Sequence, residues 1–102
     1  MTGTYVTNIT HYLDESGNIA DIPSPEAKQL ACFLVLIIDA TSQNCSAVFD
    51  DTKIRCRSEG CSGLILSRFE PESEDIIWHC PICGHNGVIR NWQNTKWDQR
   101  TS

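Results

Sequence analysis

The densest apolar stretch of the chain runs unbroken from Leu30 to Ile38, with polar residues on either side. Ser24-Pro25-Glu26 lies just upstream and reads as a helix start: a serine able to cap, a proline at the first helical position, and a carboxylate at the positive end of the helix dipole. The spacing predicts a helix over about 25–41. Ala27, Leu30, Leu34, Ile38 and Thr41 share one stripe, which Ala31 and Val35 widen. Phe33, Leu36 and Ile37 carry the apolar band almost round the helix, so most of its sides must be covered. A central core helix is the favoured reading, and a helix that also packs on a second copy of the chain is the alternative. A bilayer span takes about 20 apolar residues, so no membrane anchor is expected here.

Elsewhere the period falls to two. Residues 4–13 (TYVTNITHYL) are rich in β-branched and aromatic types and read as a strand. Asp14-Glu15-Ser16-Gly17 is a turn cluster, and Asn18 to Ile22 is a candidate return arm of a hairpin. Thr41 to Asp51 is polar and irregular and sets a boundary. Beyond it Thr52 to Arg57 alternates strictly, with Thr52, Ile54 and Cys56 on one face and Lys53, Arg55 and Arg57 on the other. Gly63 to Phe69, Ile76 to His79 and Val88 to Trp92 read as further strands. From Gln93 the chain is polar apart from Trp97. The expected class is α+β: an N-terminal strand or hairpin and one core helix in residues 1–51, then an antiparallel β ribbon with a polar tail in residues 52–102.

The cysteines add chemistry to this outline. Cys56 and Cys61 form one close pair, and Cys80-Pro81-Ile82-Cys83-Gly84 forms a second after a hairpin-sized insert. Each pair follows a predicted strand. Two cysteines so close reach one ion only if the chain between them turns tightly, and Gly60 and Gly84 supply backbone freedom for that. Zinc takes four ligands tetrahedrally and thiolates suit it, so Cys56, Cys61, Cys80 and Cys83 are the expected ligands of one Zn2+. Cys32, within the helix, is expected in the core, and Cys45 in the boundary loop. Neither is given a ligand role. His79 and His85 flank the second pair and are expected beside the site or at the surface rather than on the metal.

Residues 56–92 resemble the zinc-ribbon fold group, whose CPxCG knuckle Cys80 to Gly84 is similar to. The ending Ile77-Trp78-His79-Cys80, Gly87-Val88-Ile89-Arg90-Asn91-Trp92 and Thr95-Lys96-Trp97-Asp98 also resembles small bacterial zinc-ribbon proteins of unassigned activity. The resemblance implies an antiparallel zinc ribbon and a bound metal, not an activity. The first knuckle is two residues longer than the common CxxC. Rubredoxins share the CPxCG knuckle and use iron, which makes iron the alternative metal.

Charge divides unevenly. Residues 1–51 hold seven acids and a single base, Lys28, while the other seven Lys and Arg lie in residues 52–102; the net charge is −5. This acidity opposes non-specific nucleic-acid binding. A local basic and aromatic set (Lys53, Arg55, Arg57, Arg90, Trp92, Lys96 and Trp97) is the candidate nucleic-acid surface, with a solvated strand face and packed tryptophans as the preferred account of it. The start MTGTYVTNITHYLD lacks a basic segment and apolar core of a signal peptide, so the expected setting is cytoplasmic and reducing. His11, His79 and His85 show no catalytic spacing, and four protein ligands leave a zinc no open position. The expectation is a non-catalytic zinc-binding module, for protein interaction or assembly (an unknown protein partner, or a homodimer through the apolar helix), with a nucleic-acid-binding ribbon as the alternative.

Overall fold

A computed structural model of the chain describes residues 4–21, 23–58, 60–93 and 95–100, and of Thr4 and Tyr5 the backbone alone. The helix forms where its local signals place it. α1 spans Pro25–Ser42, with the Ser24 side chain accepting the Ala27 N–H at 3.3 Å and proline in the first turn. Ala31, Leu34, Val35, Ile37 and Ile38 are buried along it, and Phe33 meets Trp78 edge to face at 5.3 Å between ring centroids. Cys32 and Leu36, one helical turn apart, share the outward side, and Leu36 is 52% exposed. Cys32 is therefore not a core residue, contrary to the sequence expectation. Among the described residues no helix is long and apolar enough to cross a membrane.

Five strands make one mixed sheet: β1 (Thr4–Asn8), β2 (Asp50–Arg55), β3 (Leu64–Phe69), β4 (Ile76–His79) and β5 (Asn86–Arg90), in spatial order β1-β5-β4-β3-β2. β2 to β5 form the expected antiparallel ribbon. β1 lies parallel to β5, with Thr4 opposite Asn86 and Asn8 opposite Arg90. Ile65, Ser67, Ile76, Trp78 and Ile89 are the buried alternate positions and join α1 in the core.

The N-terminal strand is shorter than residues 4–13. It ends at Asn8, whose side chain accepts the Thr10 N–H at 3.0 Å and starts a 3-10 turn over Ile9–Tyr12 that buries Ile9. The return arm reduces to one isolated bridge, Leu13 to Ile19, and Ile22 falls outside the described residues. The last strand also ends early, because Asn91 adopts φ 59° and turns the chain so that Trp92 drops into the core. In β2 the register shifts between Asp51 and Arg55, with Lys53 at φ 63°. The Lys53 N–H is bound by Asp51 Oδ1 at 2.7 Å and the Ile54 N–H by Thr52 Oγ1 at 3.1 Å.

Candidate metal centre

Antiparallel pairing puts the β2–β3 and β4–β5 connections at the same end of the sheet, and each carries one cysteine pair. Cys56 follows the last residue of β2, and Cys61 precedes β3. Cys80 follows β4, and Cys83 precedes β5. The four Sγ atoms lie within 4.8 Å of one another, with Cys56 to Cys83 and Cys61 to Cys80 at 3.5 Å. A tetrahedron of sulfurs about 2.3 Å from a central ion has edges of about 3.8 Å, so the cluster has the dimensions of a four-thiolate site. Cys80 is fully buried, Cys56 and Cys61 are half-buried and Cys83 is exposed, so the centre closes the end of the core and stands near the surface.

The turns are shaped by backbone donors aimed at sulfur. The Ser58 N–H points at Cys56 Sγ (3.5 Å) and the Gly63 N–H at Cys61 Sγ (3.4 Å), each two residues along. The His85 N–H does the same for Cys83. Gly84 has φ 84°, the left-handed conformation that a turn folded back on an ion demands; Gly60, at φ 78°, has the same role in the longer first knuckle. Cross-links tie the turns to the strands: the Cys56 N–H donates to Gly63 O at 2.9 Å, and the Cys80 N–H to His85 O at 2.7 Å.

Electrostatics separate two of the thiols. The His85 N–H, and then the Ser58 side chain, hold Cys83 down to about 6. The Gly63 N–H lowers Cys61 too, but burial and the thiols of Cys80, Cys56 and Cys83 outweigh it and push that group up to about 12. Cys83 and Cys61 are thus driven apart: the Cys83 thiolate forms near neutrality, while the Cys61 thiol resists ionisation. A cation at the centre removes that conflict.

Ser58 carried no signal in the sequence. Its hydroxyl lies 3.6 Å from Cys83 Sγ and is hydrogen-bonded to His85 Nδ1, so it links a ligand to the histidine beside it. Gly63 was also missed: a Cβ there would come within 2.6 Å of Cys80 Sγ. His79 sits away from the cluster, with its ring edge to face with Phe49 at 4.5 Å. The Cys45 thiol faces Ser42 O at 3.7 Å, and burial pushes its pKa up.

The basic and aromatic set is dispersed. Lys53, Arg55 and Arg57 are exposed on and just after β2, with the Arg57 guanidinium over the Phe33 ring at 5.8 Å. Arg90 is ion-paired with Asp75. Trp92 is fully buried, donates its indole N–H to Glu74 O at 2.9 Å, and carries Arg100 on its face. Trp97 is half-buried beside the C-terminal end of α1, where its carbonyl accepts from Ser42 Oγ, and Lys96 lies over its ring. In comparisons with known proteins, no family model, no curated protein and no solved structure matches the chain.

Proposed function

We propose that this chain is a zinc-stapled, non-catalytic module that binds another protein. The observation that carries the reading is the convergence of four sulfur atoms, from two distant knuckles, to within 4.8 Å of one another. Zinc suits four thiolates, and four protein ligands fill its tetrahedral sphere, leaving no position for water or substrate. The metal's work is then mechanical: it joins the two connections that hold β2, β3, β4 and β5 in register. Iron is the alternative occupant, and absorption spectroscopy separates the two, since a ferric tetrathiolate is coloured and zinc is not. Elemental analysis of the purified chain should return one zinc per polypeptide with no visible absorbance. A metal-free protein that is equally folded overturns the reading.

A further inference from the structure

The outward side of α1 and the start of the first knuckle enclose a shallow groove of about 540 Å³, whose lining includes Cys32 but none of the four clustered cysteines. Phe33, Leu36 and Ile54 form its floor, and Lys28, Arg55 and Arg57 stand round it. Among the described residues no Asp or Glu lines it, although acids outnumber bases thirteen to eight in the chain. Lys28, the single base of residues 1–51, is one of the three cations. Among the described residues none of these three is ion-paired, whereas Arg68, Arg90 and Arg100 each hold a carboxylate. An apolar floor with unneutralised positive charge at its rim is complementary to an apolar stripe flanked by carboxylates.

We propose that this groove docks an acidic amphipathic helix of a partner protein. The proposal rests on the interaction-module reading above and names its surface. Two observations select the occupant. The first is the edge of β2, the only strand among the described residues beside the groove. Its Lys53 and Ile54 N–H groups are already bound by Asp51 and Thr52, and its register is broken there. An added strand finds no regular ladder, so contact must come from side chains laid into the groove, as an amphipathic helix presents them. The second is the scarcity of aromatic faces. Phe33 is the groove's one ring, it is 7% exposed, and Arg57 already covers it. Single-stranded nucleic acid binds through stacking on open rings along a basic track, and beside the covered Phe33 the floor here is aliphatic.

The test uses the metal-loaded 102-residue chain, isotope-labelled, with a synthetic helical peptide of about five turns that carries Leu on one face and Glu or Asp on the others. Addition of the peptide should shift the amide signals of Lys28, Leu36, Ile54 and Arg55. Lys28→Glu combined with Arg55→Glu, both exposed positions, should weaken binding at least about 10-fold, and the loss should shrink as salt rises. An analogue with Ser in place of Leu should not bind. The proposal is overturned if the peptide fails to bind, if the Ser analogue binds equally, if the charge reversals change nothing, if short oligothymidylate occupies the groove more tightly, or if the groove is buried in a dimer of this chain. Metal analysis of the same sample keeps the two readings apart. A folded, metal-free chain that binds the peptide sinks the zinc assignment alone, and a metal-loaded chain that ignores the peptide sinks the groove alone.

Discussion

Gly63→Ala tests how tightly the metal centre is built against the sheet. A Cβ at position 63 would lie 2.6 Å from Cys80 Sγ and 2.7 Å from Ile82 Cγ1, where ordinary contact begins at 3.4 Å. The Ile82 side chain is 69% exposed and can swing away. Cys80 is fully buried and cannot swing away, and the contact falls roughly 0.8 Å short of ordinary separation, several times the about ±0.2 Å within which metal–ligand distances normally lie. The clash must therefore be relieved by moving backbone or loosening the metal. Overpacking of this kind costs about 1–3 kcal/mol, which corresponds to a loss of about 5- to 150-fold in metal affinity. Competition with a chromophoric chelator measures it directly. The neighbouring exposed substitution Ser62→Ala serves as control and should change affinity less than about 2-fold. Adding Ile82→Ala to Gly63→Ala should restore little, because Cys80 is the wall that cannot yield. If Gly63→Ala binds metal as tightly as the natural chain, the close approach of Gly63 to the cluster is wrong.

Cys80→Ser, or excess chelator, should unfold β2 to β5 in circular dichroism and abolish the cooperative melt, because structural zinc contributes roughly 10–16 kcal/mol, as much as a domain's whole stability; a melt unchanged by either treatment contradicts the stapling role. In the metal-free chain at about pH 7, iodoacetamide should alkylate Cys83 well before Cys61, since Cys83 is held down to about 6 and Cys61 is pushed up to about 12. The lowered Cys83 value contributes stability that is present above the unfolded thiol range and lost as pH falls through about 6; the raised Cys61 value contributes stability that is present below that range and lost as pH climbs toward about 12. Peptide mapping that finds equal labelling at the two sites removes the asymmetry. Thr41→Val strands the buried Ser67 hydroxyl, which lies 2.6 Å from Thr41 Oγ1, and should cost about 1–3 kcal/mol in urea denaturation; Thr41→Val with Ser67→Ala should recover much of that, and purely additive losses would refute the coupling.

What was legible in the sequence was what short-range chemistry decides. Ser24 and Pro25 placed the start of α1, and β4 was read to the residue because Ile76 to His79 is bounded by a turn and a cysteine. The four sulfurs were legible through spacing, since a close pair after a strand implies a turn folded on an ion. The rest depended on partners remote in the chain or on backbone angles that residue types do not announce. TYVTN and ITHY have the same β-branched character, yet only the first is a strand, because Asn8 caps a turn that buries Ile9. Thr52 to Arg57 alternates in exposure as expected, while its hydrogen-bond ladder breaks at Lys53, where side chains of Asp51 and Thr52 capture the amides. Cys32 faces outward because the sheet takes the opposite side of α1. Ser58 and Gly63 are common loop residues until the fold sets them against Cys83 and Cys80.

The pairing of β1 with β5 has a consequence for synthesis on the ribosome. Thr4 emerges about eighty residues before its partner Asn86, so β1 must wait unpaired while α1 and β2 to β4 are made. All four sulfurs are translated before Asn86. Chain polarity thus lets the two knuckles come together before β5 is complete, and β1 can join the sheet only after β5 has been made.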